Sequence, residues 1–396
     1  MDININCELS ENMRKKNEKR KEITYYLPLI VTIIFTVVLL FLPTGYEDAI
    51  IEKGTDRVVA TVVNESSDFI IDTGLIRTGE QLCTVKIEYG KFKGEVVEAV
   101  NMLQGSLETD KLFSKGDKAL IVVNYSNDTI KSVTMVDHFR VHKEIVLGII
   151  FIAFLVFFAG ETGVRAILSF AITILCIWKI LVPMYLNGFN PIIIGMVITL
   201  LLTTIIISLV YGFNKLALAA ILGATLGVVA TCIMAIISTK YFNIHGAVMS
   251  GSESLLYSGF EYLNLTQIFM ASIFIGSSGA MMDLAVDITS SMKEIVDKKP
   301  NIGKKEALES GLNIGRAAMG TMTTTLLLAY SGGFIALLMV FMAQGTPILN
   351  ILNYKYIAAE LTHTVVGSFG LVLVAPFTAF TCSILITKNH KEIFEN

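Results

Sequence analysis

Residues Tyr25–Pro43 read YYLPLIVTIIFTVVLLFLP, an uninterrupted apolar stretch without a single charge. About 20 such residues form a helix long enough to cross the hydrocarbon of a bilayer. A secretory signal peptide usually has a shorter apolar core and a small-residue cleavage site. No such site is evident, so the stretch predicts a retained signal-anchor helix over 25–43. The whole chain agrees with it. Of 396 residues, 53% are hydrophobic and only 16% charged, with a mean hydropathy of +0.65. Soluble domains carry about a quarter charged residues, so this balance excludes a soluble enzyme and a disordered chain alike. One tryptophan and five cysteines mark neither a disulfide scaffold nor a zinc ribbon.

Outward from that stretch, residues 1–24 form a polar tail ending in a basic run, Arg14, Lys15, Lys16, Lys19, Arg20 and Lys21. On the other side, over 44–143, hydropathy drops and short β-branched runs appear: RVVATVV, QLCTVKIEY, GEVVEAV, ALIVVNY and IKSVTMV. Turn-forming clusters such as Lys115-Gly116-Asp117 and Ser126-Asn127-Asp128 separate them. This spacing predicts a small all-β domain, OB-like or sandwich-like. Cys83, Val85 and Ile87 share one face of their strand, opposite Thr84, Lys86 and Glu88, which makes Cys83 a core residue.

From residue 144 apolar segments return, at about 145–160, 164–183, 191–210, 216–238, 265–288, 317–342 and 361–387. With the first helix they predict a polytopic α-helical membrane protein of about eight spans, the β domain lying between helices 1 and 2. A basic, partly amphipathic connector over 289–316 suits the interface with anionic lipid, and 388–396 form a short tail. Lysine and arginine in short connections set orientation. Sixteen lie on one side, six of them before the first helix and six in the Lys293–Arg316 loop; Lys179, Lys240 and Lys355 lie on the other. Both termini are therefore expected in the cytoplasm and the β domain outside, in a cell membrane.

Chemistry concentrates in three helices. In GSSGAMMDLAVDITSSMKEI, Gly276–Ile295, Asp283 and Asp287 are four apart and share a face. A carboxylate inside a spanning helix is expensive and usually faces a cavity or a partner; a pair can exchange a proton near physiological pH. The bland reading places Asp287, and even Asp283, at the solvated cytoplasmic end. In GRAAMGTMTTTLLLAYSGG, Gly315–Gly333, Arg316 opens the helix within reach of those acids, and Thr321, Thr324 and Thr325 either line a polar path or satisfy their own helix carbonyls. Gly332-Gly333 is a place where that helix could break. In ELTHTVVGSFGLVLVAPFTAF, Glu360–Phe380, Glu360 and His363 form an E-x-x-H pair, which reads as an outer polar pair rather than a metal site. Glu161 and Arg165 are placed to pair across a turn. No P-loop, dinucleotide fingerprint, zinc-protease motif or nucleophile elbow is present, so no catalytic residue, cofactor or metal is assigned. The partner is the lipid bilayer, with no nucleic acid; a homo- or hetero-oligomer is left open.

These three stretches resemble the YibE/F-like family of bacterial multi-pass membrane proteins, with Asp283, Arg316, Gly367, Gly370 and Pro376 on matching positions. The resemblance, read from the anchor helix to the last helix, implies the topology above. His363 departs from it, since an arginine is common there. The order of parts also resembles, more faintly, halves of resistance-nodulation-division transporters, where an intramembrane aspartate relays protons. Two functions follow as expectations: a proton- or ion-coupled transporter using Asp283 and Asp287, or a membrane scaffold binding a partner through the β domain.

Overall fold

The computed structural model describes residues 26–46 and 54–387; the two tails expected to be cytoplasmic, 1–24 and 388–396, lie outside them. The described residues fall into two compact units, with the chain passing from one to the other before residue 47 and again after Phe158.

The first unit is built on five strands, β1 (Thr55–Asp72), β2 (Arg77–Ile87), β3 (Val96–Gln104), β4 (Lys118–Ser126) and β5 (Thr129–His138). They close into a barrel in the order β1-β2-β3-β5-β4. Pairing is antiparallel except between β3 and β5, where Val100 lies opposite Thr134 in parallel. This is the OB-type choice between the two expected architectures. β1 can serve both neighbours because it is long and bulged: Thr55–Thr61 pair with β4, while Ala60–Asp72 pair with β2 across register shifts at Val62/Asn64 and Ser66/Phe69. Period-two alternation buries Cys83, Val85 and Ile87 with Ala60, Val62, Ile121, Val123 and Phe113. Burial pushes the Cys83 thiol up to about 11, so it behaves as a core residue.

Two buried amides pin the long β3–β4 loop. Gln81 Nε2 donates to the Phe113 carbonyl at 2.8 Å and Gln81 Oε1 accepts from Phe113 N at 3.0 Å. Asn101 Nδ2 donates to the Lys111 carbonyl at 2.6 Å. At the loop's start, Asp110 accepts from the backbone N–H groups of Gln104 (2.9 Å), Gly105 (2.7 Å) and Ser106 (2.9 Å). Those donors hold its carboxyl below the usual range. A depressed acid contributes stability above its unfolded value, about pH 4, and the contribution is lost as pH falls through the folded value. Protection of the amides over residues 104–112, relative to their intrinsic exchange at each pH, is therefore expected to fall below about pH 4, and Asp110→Asn to show that low protection already at pH 7. Protection unchanged by either would remove Asp110 from this role.

The helical elements are α1 (Tyr26–Phe41), α2 (Val141–Leu186), α3 (Pro191–Tyr211), α4 (Lys215–Tyr241), a short α5 (Ser252–Tyr257), α6 (Leu265–Lys298), α7 (Lys304–Ala343), a short α8 (Ile348–Asn353) and α9 (Lys355–Leu385). Six of them, α2, α3, α4, α6, α7 and α9, are long and apolar enough to cross a membrane, and α1 is a shorter apolar helix. α2 is not one regular rod. Gly160, at φ 55° and ψ −127°, interrupts it between the two expected segments, and a π-helical turn follows at Ile177–Leu181. Asparagines start three helices: Asn190 Oδ1 accepts from Ile192 N and Ile193 N, Asn214 from Ala217 N, and Asn264 from Gln267 N. Each such cap is worth about 1 kcal/mol.

The stretch expected as a connector over 289–316 is helical through most of its length. Its first part prolongs α6 to Lys298 and its last part begins α7 at Lys304. Gly332–Phe334 forms a single 3₁₀ turn inside α7, at the expected glycine pair. Arg165 donates to Glu161 at 2.7 Å, the expected pair, and also to the Leu209 carbonyl at 2.6 Å, which fastens α2 to the end of α3.

Packing centres on α6, which lies against α3, α4, α7 and α9. Met281, Leu284, Ala285 and Ile288 are wholly buried. α4 and α9 approach closely through glycine: a Cβ on Gly223 would overlap Thr378, one on Gly227 would overlap Val374, and one on Gly370 would overlap Thr231 and Met281. Membrane helices gain association energy from such tight contact, because lipid is as apolar as the side chains it replaces. Phe35 and Leu39 of α1 pack with Ile172, Leu175, Ile198 and Leu202 of α2 and α3.

Candidate functional site

α6 is enveloped on most of its circumference. Between Leu265 and Ser290 its exposed residues are Gly276, Gly279, Asp283, Asp287 and Ser290. Steps of three and four place them in one stripe. No large apolar side chain belongs to it, whereas the exposed residues of neighbouring α4 include Leu218, Leu222, Leu226, Val229, Ile233 and Ile237. The stripe lies 11–25 residues into α6, so Asp283 is about 27 Å from the helix start and Asp287 about 33 Å, at 1.5 Å per residue.

α7 runs antiparallel beside it. A Cβ on Gly311 would meet Ala379 and Met292, and one on Gly315 would meet Ala375 and Ile288. This register sets Arg316 level with Asp287, and Gly320 to Thr323 level with Asp283. The exposed arc of α7 at these depths is Asn313, Arg316, Ala317, Gly320, Thr321, Thr324 and Thr325. Arg316 is level with the acids yet bonds Asn313 Oδ1, at 3.0 Å. Among the described residues no ion pair joins it to Asp283 or Asp287. Thr321, Thr324 and Thr325 donate to the carbonyls of Ala318 (3.1 Å), Gly320 (3.3 Å) and Thr321 (3.0 Å). Their donors are thus spent on the helix, while their exposed oxygens keep acceptor capacity.

Toward the other end the stripe meets a second polar group. A Cβ on Gly276 would lie 3.0 Å from Tyr330 Oη and 3.3 Å from His363 Nε2. The two rings are 4.6 Å apart between centroids, with Phe269 edge-on to His363 at 6.4 Å. His363 Nε2 is buried and has no hydrogen-bond partner among the described residues. Glu360, half-buried, sits one turn earlier on the same side of α9. The sequence singled out Glu360 and His363 but not Tyr330 or the glycine notch, because the notch exists only where α6, α7 and α9 converge. At the Ser290 end of the stripe, Tyr211 Oη is 2.6 Å from Ser290 Oγ and donates to the Val286 carbonyl at 2.7 Å, another contact that spacing alone does not reveal.

A bundle of apolar helices whose central member exposes, between Leu265 and Ser290, only small residues, two carboxylates and a hydroxyl defines a helical membrane protein with a polar line along one helix. The chain belongs to the YibE/F-like protein family, whose model matches residues 147–388. The match takes in the polar line and begins after the β barrel, so it is narrower than the resemblance read from the sequence. No curated protein and no solved structure matches the chain.

Proposed function

We propose that the chain is a proton- or ion-coupled transporter with eight spans, each arm of α2 on either side of Gly160 being one of them. Both termini are cytoplasmic and the barrel is extracytoplasmic, in a cell membrane. The observation that carries this reading is the α6 stripe. A carboxylate kept on the open face of a membrane helix costs a few kcal/mol, and nothing in the packing of α6 requires it. Asp283 takes up and releases the coupling proton, Asp287 hands it to the cytoplasmic side, and Thr321, Thr324 and Thr325 border the path with Arg316. Glu360, Tyr330 and His363 form its outer portion. Neither a catalytic nor a cofactor role is part of this reading.

Everted vesicles acidified by respiration test it, with luminal pH followed by a dye while candidate substrates are added class by class. One class is expected to release the gradient in vesicles carrying the protein and not in vesicles without it. No release by any class, at verified abundance, would count against coupled transport.

One observation favours a scaffold instead. On the barrel, a pocket of about 370 Å³ is lined by leucines including Leu75, Leu103 and Leu107 beside the charged Asp72, Arg77 and Asp110, and Leu75 and Leu107 are 77% and 74% exposed. Such a surface suits a protein partner. Under that reading Leu75→Glu with Leu107→Glu abolishes function, whereas coupled transport through α6 continues without this surface.

A further inference from the structure

We propose that the open side of α6 and α7 is closed by a second copy of the chain, related by a two-fold axis along the membrane normal, with Arg316 of each copy facing Asp287 of the other and Asp283 one turn away. This goes beyond the transport reading and does not rest on it.

The first ground is what the face is made of. The helices that meet lipid expose leucine, isoleucine, valine and phenylalanine. Here, neighbouring α6 and α7 together expose Gly276, Gly279, Asp283 and Asp287 beside Arg316, Gly320, Thr321 and Thr324. Hydrocarbon offers no partner to these charges. Within one copy they do not pair either: the guanidinium of Arg316 turns to Asn313.

Self-complementarity is the second ground, and it commits the face to a second copy over an unrelated protein. One helix carries two acids and its neighbour carries the base, so apposing the face with itself pairs opposite charges twice. An isologous interface needs this arrangement. Depth is the third. A two-fold axis along the normal leaves every residue at its own level, and Arg316 is already level with Asp287 by the contacts of Gly311 with Met292 and Gly315 with Ile288. Close approach is available as well. A Cβ on Gly279 or Gly320 would meet nothing within 4 Å, the small-residue surface through which membrane helices pack on one another. The second copy would convert the polar line from a lateral groove into an enclosed path, with an arginine from each copy set against the acids of the other.

Paired cysteines in native membranes test this. Two differently tagged full-length copies, both carrying Cys7→Ser, are co-expressed, one with Gly279→Cys and the other with Thr324→Cys, positions that lie level. The four remaining native cysteines are buried. Oxidation is expected to join the two tags, at least about tenfold above a control pair carrying Ile233→Cys and Ile237→Cys on α4, a factor of ten corresponding to about 1.4 kcal/mol. Arg316→Asp in both copies is expected to lower the yield by a similar factor. Combining Arg316→Asp in one copy with Asp287→Arg in the other restores it, since both cross-pairs are then of opposite charge. Yields are normalised to each copy's membrane abundance, and the mass of the unmodified protein in nanodiscs is expected to be that of two 43.4 kDa chains. Joining at the control level, indifference to Arg316→Asp, the mass of a single chain, or joining to another protein without joining of the tags would each overturn the proposal.

Discussion

Asp283→Asn is expected to abolish substrate-driven proton movement in everted vesicles while the protein accumulates at its normal level. Asparagine keeps the size and shape of aspartate but cannot ionise, so a relay loses its proton and the helix loses little else. The position is on the exposed stripe of α6, away from the buried contacts of Met281, Leu284 and Ala285. Substitutions outside a packed core usually change stability by less than about 0.5 kcal/mol. Asp287→Asn is expected to act more weakly on proton movement, because Asp287 lies a further turn toward the end of α6. The scaffold reading expects the opposite for Asp283→Asn: function retained per molecule, with abundance reduced. Measuring flux and abundance on the same membranes separates the two.

Gly370→Leu is expected to leave almost no folded protein. Even a single Cβ at Gly370 overlaps Thr231 of α4 and Met281 of α6, and both neighbours are in the tightest part of the bundle. Leucine adds three further carbons where α9 has no room to retreat, since Gly367 abuts Ser277 one turn earlier and Val374 abuts Gly227 one turn later. Overpacking costs about 1–3 kcal/mol where neighbours can shift and more where they cannot. That is a large share of the 5–15 kcal/mol that typically holds a domain together. Gly148→Leu is the control, because a Cβ there meets nothing within 4 Å. Membrane abundance and monodispersity after extraction are the readouts. Normal behaviour of Gly370→Leu would mean that α4, α6 and α9 do not pack as described.

What could be read from the sequence divides along a physical line. Local periodicity was sufficient for the first apolar helix, for the inward face of Cys83, Val85 and Ile87, and for the shared face of Asp283 and Asp287, since each depends on residues close in the chain. The strands were visible but their closure was not. The parallel pairing of Val100 with Thr134 and the two-sided role of β1 join segments far apart, and no local pattern encodes them. The amphipathic connector expected over 289–316 is helical on both flanks, ending α6 at Lys298 and opening α7 at Lys304, since lysines lower hydropathy without breaking a helix. The pairing of Glu161 with Arg165 was expected across a turn, and it forms instead along one helix, four residues apart on α2. The meeting of Tyr330, His363 and Gly276 was not legible, because it needs three helices in register. Arg316 was expected near the acids and is level with them, but its bond is to Asn313; helix spacing sets depth, and the direction of a long side chain is settled by packing.

The central claim is that Asp283 is a protonatable carboxyl in low-polarity surroundings. A hydrophobic carbodiimide modifies protonated carboxyls in such surroundings, and it needs no knowledge of the substrate. The purified full-length protein would be reacted across a pH series and the adducts mapped by mass spectrometry. The expected result is labelling of Asp283 that persists near neutral pH and fades as pH rises. Absence of labelling at Asp283 at every pH, with the protein demonstrably folded, would contradict the account and move attention to the barrel and its partner.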